Sequence, residues 1–281
     1  MALLRIIHTC NQECVFCSYP GKNTKSESYD FNEFCRDIKS SKEKLIQISG
    51  GEPFLLGGLH LLKLVLFAAK NNKKIEIQTN ASLIKDVPLE ILKKLIKAVN
   101  LSGGYFNINL SAADSIMDAK VAGVGHIFTA KIKGIKLLLK HGAEIRLTYI
   151  ICRSNYRQVP QFVKFIAKKS PGIKWVQFSF VKAMGKALTK KIVPKYSAVS
   201  KYIIRAASLC QENKIKCEID HIPLCMLGAY YRLNVDIGKM TWNKKGLHRK
   251  EKIHVKKCLK CEYVNICPGP RKDYLKIYGD I

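Results

Sequence analysis

The chain has 281 residues, 47% of them hydrophobic, which suits one large globular domain or a domain with an appendage. Its formal net charge is +28, from 49 basic and 21 acidic residues. No apolar run approaches the roughly 18 residues needed to cross a bilayer, and MALLRIIHTC lacks the pattern of a secretory signal, so the expectation is a cytoplasmic protein with no membrane partner.

Eleven cysteines are too unevenly placed for a disulfide scaffold, and seven fall in two groups with metal-ligand spacing, which points to a reducing, low-oxygen setting. Acidic residues are scarce, which excludes a thermophile-style network of Glu–Lys pairs as the origin of the charge. Two readings of the charge stay open: a polyanionic or acidic partner drawn in by the summed field, or lysines spread over solvated faces.

In chain order, Leu3–Ile7 reads as a first strand, followed by a cysteine loop and a helix over Tyr29–Lys42. Leu45–Ser49 is a second strand ending in Gly50-Gly51-Glu52-Pro53, Leu59–Ala69 a helix, and Lys74–Thr79 a third strand. Pro88 opens a helix to about Val99, in the first-turn position that proline tolerates. Tyr105–Ser111 is strand-like, and Ile127–Lys140 is a helix stopped at His141-Gly142. Glu144–Cys152, Val159–Lys169 and Trp175–Phe180 continue the alternation. Six β-α repeats in series predict parallel strands with helical crossovers. They are too few for a closed eight-stranded barrel and suit a partial (βα)6 TIM-like barrel, whose chemistry belongs at the C-terminal strand ends. A basic connection over Lys182–Lys195, a helix over Ser197–Glu212 and a strand over Lys216–Ile219 follow, and a boundary is expected near residue 220.

The loop after the first strand is CNQECVFC, with Cys10, Cys14 and Cys17 at C-x3-C-x2-C spacing. Three thiolates can hold three irons of a 4Fe–4S cubane and leave the fourth open, whereas a fully ligated cluster takes four. Phe16 stands where it can wall the loop from water. The bland alternative, a zinc knuckle or three ordinary buried thiols, fits less well, because structural zinc takes four protein ligands. One β-α unit later, Gly50 and Gly51 let backbone approach a ligand closely, and Glu52, before Pro53, offers a carboxylate to an ammonium group; a plain Gly-Pro turn is the alternative.

This ordered series, over residues 1 to about 190, resembles the radical S-adenosylmethionine superfamily. The resemblance implies a 4Fe–4S cluster on Cys10, Cys14 and Cys17 whose open iron is chelated by the methionine group of S-adenosylmethionine. Phe16, Gly50, Gly51, Glu52, Pro53, Thr79, Asn80, Ser111, Asn155 and Met184 would surround that cofactor. Relatives often carry Ser-Leu-Asp/His where this chain has Ser111-Ala112-Ala113-Asp114. It also implies an external flavodoxin- or ferredoxin-like electron donor. The reaction implied is reductive cleavage to a 5′-deoxyadenosyl radical that takes hydrogen from a substrate.

A second group, Cys258, Cys261 and Cys267 at C-x2-C-x5-C with Cys225 upstream, offers four thiolates. Zinc and a second 4Fe–4S cluster both fit them. The run resembles a shortened SPASM/Twitch extension, which implies an auxiliary 4Fe–4S cluster and a division into 1–220 (core 1–190) and 221–281. Cys152, at a strand end, is a candidate hydrogen or proton donor, with a core thiol the blander reading. Cys217 is a competing ligand. Lys239–Lys260, rich in Lys and Arg with Trp242 among them, reads as a solvated loop, with RNA or an acidic peptide as alternatives. Enzymes with such extensions often modify peptides or proteins, so a peptide or protein substrate is expected, with a separate leader-binding partner because the chain starts directly at the barrel. RNA modification, small-molecule oxidation of a sugar or nucleotide, and a non-enzymatic zinc- or cluster-binding regulator are the alternatives.

Overall fold

A computed structural model describes residues 2–18, 29–242 and 250–281. Seven strands lie in one sheet in sequence order, β1 to β7, alternating with helices: the α/β, partial TIM-like barrel class expected. The strand expected after the six repeats extends the sheet as its seventh member. Two compact units divide the chain, one of Met1–Glu13, Pro20–Leu110 and Gly123–Leu147, the other of Cys14–Tyr19, Ser111–Ala122 and Thr148–Ile281. The boundary expected near residue 220 falls inside the second.

In the first unit, β1 (Ala2–Ile7), β2 (Leu45–Gly50), β3 (Lys74–Thr79) and β4 (Tyr105–Asn109) pair in parallel. Strand alternation sends Ile46, Ile48, Ile75, Ile77, Phe106 and Ile108 to one face, each at most 1% exposed. Leu61, Leu64 and Val65 of α2 (Gly58–Lys70) and Leu92, Leu95 and Val99 of α3 (Leu89–Leu101) are buried completely, and these helices pack on each other. Each such side chain contributes about 1.5–3 kcal/mol. Asp30 caps α1 (Phe31–Ser40), accepting from the N–H groups of Asn32 and Glu33.

The alternate positions are polar, and they converge on Glu76, which is 1% exposed. Its Oε1 accepts from Gln78, Asn107 and Arg146 at 2.9, 2.7 and 3.1 Å. Its Oε2 accepts from Gln47 at 2.9 Å and the Tyr105 hydroxyl at 2.6 Å. Burial raises the Glu76 pKa, but the Arg146 guanidinium and these donors outweigh it and hold the carboxyl below its ordinary value.

In the second unit, β6 (Trp175–Phe180) and β7 (Lys216–Asp220) pair in parallel, and α6 (Val159–Lys169) packs on α7 (Tyr196–Glu212). Between β4 and α5 (Phe128–Lys140), the short helix α4 (Ser115–Ala122) occupies a stretch for which no element was expected. It has no clean apolar stripe: Ile116 is 83% exposed while Asp118 is buried. After β7 come α8 (Val235–Trp242) and α9 (Lys272–Tyr278), also unforeseen. The ring of Tyr274 on α9 stacks on Tyr196 of α7 at 4.0 Å, and Phe180 lies 4.5 Å from Tyr196, so the C-terminal helix is docked through aromatic faces.

Candidate active site

At the end of β2, Gly50 has φ +137°, and a Cβ there would lie 2.0 Å from the Ile7 carbonyl oxygen. A Cβ on Gly51 would lie 1.8 Å from that of Thr9. The glycines therefore admit the chain's own segment leading to Cys10: Gly51 N–H donates to Ile7 O at 2.7 Å and Glu52 N–H to Thr9 O at 2.9 Å. The sequence suggested close approach to a ligand; the structure shows close approach of backbone to backbone.

Glu52, 1% exposed, directs its carboxylate into the protein. Oε1 accepts from the Thr79 hydroxyl at 2.7 Å and Phe54 N–H at 3.2 Å, and Oε2 accepts from Asn80 N–H at 2.7 Å. The carboxylate thereby ties the end of β2 to the end of β3. Burial raises its pKa, opposed by those three donors and by Lys131. Pro53 opens the short helical turn Pro53–Leu56 that follows. Asn80 in turn donates to Asn11 at 2.8 Å, and Asn11 donates to Ser82 at 2.9 Å, so the residue beside Cys10 is bonded to the loop after β3.

In the second unit the loop turns tightly, Cys17 N–H donating to Cys14 O at 3.0 Å, and Val15 N–H donates to Val121 O on α4 at 3.0 Å. Cys10, Cys14 and Cys17 are each partly accessible and free of disulfides, as is needed of thiols that take metal, and Phe16 is half-buried. Gly185, at φ +57°, comes so close to the loop that a Cβ would lie 2.7 Å from Cys17 O. Its neighbour Met184 is 47% exposed.

Ser111 and Asn155 are brought together but face inward. Asn155, fully buried, donates to Ser111 O and Ile150 O, both at 2.9 Å, and accepts from Cys152 N–H at 2.8 Å. Ser111, 1% exposed, accepts from Ile150 N–H at 2.9 Å. These bonds brace the strand ends. Asp114 takes the start of α4, accepting from Met117 N–H at 2.8 Å, and also binds Gln158. Cys152 is 1% exposed, with its Sγ 3.3 Å from Ser154 Oγ and its pKa raised by burial, which favours the core-thiol reading.

The C-terminal thiols converge. The Cys225 pKa is pushed up to about 11 by desolvation and then by the neighbouring thiols of Cys261, Cys267 and Cys258. Gly269 N–H donates to Cys267 Sγ at 3.4 Å, which opposes but does not overcome the rise that burial gives the Cys267 pKa. Four thiols in one neighbourhood are soft donors of the kind that a thiophilic metal takes. Cys217 is buried, and the neighbouring Cys210 thiol and burial push its own thiol up. Of the basic stretch Lys239–Lys260, residues 243–249 lie outside the described residues, and Lys252 departs from the solvated reading: it is 5% exposed. Sequence reasoning also missed Asp220 and Asp236, whose donor atoms lie within 4.8 Å of each other and of that of His221; no spacing signal joins residues 16 apart.

The family model described as "Radical SAM superfamily" matches residues 4–166. An uncharacterised protein of Methanocaldococcus jannaschii is 27% identical over 64% of this chain and 62% of its own length. The antilisterial bacteriocin subtilosin biosynthesis protein AlbA of Bacillus subtilis is 23% identical over 62% of this chain and 39% of its own. A probable GTP 3′,8-cyclase of Pyrobaculum aerophilum is 24% identical over 60% and 54%. The chain thus spans less than two thirds of each of these relatives. Among solved structures, Streptococcus suis SuiB bound to the precursor peptide SuiA aligns with a TM-score of 0.66 at 18% identity, covering 98% of this chain and 72% of that one. Among the described residues, no helix is long and apolar enough to cross a membrane.

Proposed function

Because this chain belongs to the radical SAM superfamily, we infer that it is an enzyme that modifies a peptide or protein side chain by hydrogen-atom abstraction. Membership brings with it a 4Fe–4S cluster and S-adenosylmethionine. When bound, the reduced cluster supplies one electron to S-adenosylmethionine, and the cleaved cofactor takes a hydrogen atom from the substrate. The protein's part is to bind, orient and exclude water.

Cys10, Cys14 and Cys17 would hold the cluster, with half-buried Phe16 shielding it. Gly50, Gly51 and Pro53 shape the backbone at the end of β2, and Thr79 and Asn80 present the end of β3. Glu52 keeps these two ends in register through its three bonds. Ser111 and Asn155 stiffen the ends of β4 and β5 (Ile145–Ile151), and Met184 stands beside the cysteine loop. Cys225, Cys258, Cys261 and Cys267 would hold an auxiliary 4Fe–4S cluster, with zinc the other candidate, in a C-terminal region beginning near residue 221. An external flavodoxin- or ferredoxin-like donor supplies the electron.

The observation that carries the reading is the family match around three accessible, disulfide-free thiols. The peptide class is supported by the likeness to AlbA and to the fold of SuiB. A nucleotide substrate is the second reading, favoured by the GTP cyclase relative. After anaerobic reconstitution, Cys10→Ala, Cys14→Ala and Cys17→Ala should each abolish reductive cleavage of S-adenosylmethionine by dithionite. Retained cleavage in any of the three would sink the assignment. Incubation with short peptides encoded beside the gene, read by mass spectrometry for loss of hydrogen, tests the substrate class against GTP.

A further inference from the structure

The segment bearing Cys258, Cys261 and Cys267 is closed at its base. Lys252 bridges Arg271 in antiparallel fashion, Ile253 N–H donates to Pro270 O at 3.1 Å, and Lys272 N–H donates to Glu251 O at 2.8 Å. Gly269 permits the closure: it has φ +84°, and a Cβ there would lie 2.4 Å from Ile253 O. One step inside this neck, a His254 ring nitrogen is 2.6 Å from Cys267 O, and Gly269 N–H reaches the Cys267 sulfur.

The two bridged residues are cations buried to 5% and 2% exposure, and each is met by carboxylates. Lys252 Nζ pairs with Asp236, on the first turn of α8 and 1% exposed. Arg271 forks onto Asp273 at 2.7 Å and Glu251 at 2.7 Å. Asp273 also accepts from Ala183 N–H at 3.1 Å, just past β6, and Glu251 pairs with Lys182 at 3.5 Å. The donors of Asp220, His221 and Asp236 converge within 4.8 Å at the end of β7, a set able to take a cation, and the cation paired with Asp236 is the chain's own ammonium. His221, itself at φ +64°, is held uncharged by burial and then by Lys252, Arg271 and Lys182.

We propose that Lys252 and Arg271 are positioning residues that preform the C-terminal thiol set, so that Cys258, Cys261 and Cys267 stand ready before metal arrives. Small cysteine-ligated domains usually fold only when metal binds. Here buried ion pairs close the loop instead, and the ordering cost of closure is met before any ligand bond forms. The proposal rests on the reading of these cysteines as metal ligands, not on whether the metal is iron or zinc.

The test uses the full chain with Cys10, Cys14 and Cys17 replaced by alanine, reduced and freed of metal by chelation. Hydrogen exchange reads the neck, and titration with Co2+ alone reads the thiolate-to-metal absorbance. The metal-free chain should protect the amides of Ile253, Cys267, Gly269 and Lys272. Lys252→Met should lower that protection about tenfold or more, weaken Co2+ binding by about tenfold, and leave exchange in β2–β4 unchanged. Asp236→Leu combined with Lys252→Met, which strands no charge, should recover both. Neck amides that exchange freely until Co2+ is added, or a Lys252→Met chain with unaltered protection and Co2+ affinity, would overturn the positioning role. A protected, Lys252-dependent neck without thiolate absorbance would overturn the ligand reading, and the proposal with it.

Discussion

Replacing Glu76 by glutamine keeps its shape and removes one charge. The side chain accepts five hydrogen bonds while 1% exposed, and one donor is Arg146, whose side chain is 11% exposed and 3.1 Å away. Oε1 remains an acceptor in the variant, so Gln78, Asn107 and Arg146 keep a partner. The new amide at the Oε2 position faces Gln47 and Tyr105, which can answer by flipping an amide and rotating a hydroxyl. The loss is then the ion pair, and removing the charge of one partner of a buried pair costs about 3–5 kcal/mol. Glu76→Ala also removes the acceptor of the amides and the hydroxyl and should cost more. Urea unfolding at pH 7 measures both.

The pH dependence follows from the direction of the shift. The folded-state pKa of Glu76 lies below its unfolded value, so its stabilisation is complete above the unfolded value and lost as pH falls through the folded one. Wild-type stability should therefore decline through that acid window more steeply than that of Glu76→Gln. A glutamine variant within about 0.5 kcal/mol of wild type, with an unchanged acid limb, would refute the account of Glu76 as the charged centre of this face.

Gly51→Ala forces a Cβ to 1.8 Å from Thr9 O, so the segment leading to Cys10 must move; overpacking of this kind costs about 1–3 kcal/mol or more, and iron bound per chain after reconstitution should fall. Asn155→Asp cannot donate to Ser111 O and Ile150 O, and losing two buried bonds should cost about 2–4 kcal/mol in urea unfolding, with Asn155→Ala at least as severe. Reconstituted wild type should carry about eight irons per chain if both cysteine groups hold 4Fe–4S clusters. About four irons with one zinc would refute the auxiliary cluster.

Strand and helix order was readable because apolar periodicity switches between two and 3.6 residues along the first 220 positions, and because Pro88 and Gly142 punctuate it. The helix α4 was not, since Ser115–Ala122 mixes exposed Ile116 with buried Asp118 and offers no stripe. The cysteine groups were legible from spacing alone. What else their neighbours do was not: Glu52, Ser111 and Asn155 were expected to meet a cofactor, and all three also hydrogen-bond protein backbone or hydroxyls. A carboxylate or amide in a motif looks the same in sequence whether it turns outward or inward. Lys252 illustrates the same limit for charge. It lies in a stretch crowded with lysine, and only Asp236, 16 residues earlier and on another element, explains why it is buried.

The Glu76 cluster has a consequence for how the strands find their places. Its acceptors and donors come from β2, β3, β4 and β5, one or two residues from each. A one-residue slip of any strand would turn its polar residue toward the helices. A two-residue slip would keep the face but carry the partner about 6.6 Å along the strand, beyond hydrogen-bonding reach. An apolar layer at the same level would tolerate either neighbour in the wrong seat, because dispersion contacts are indifferent to identity. One buried carboxylate with five directional claims is not, so mispaired sheets leave an unanswered charge and lose to the aligned one.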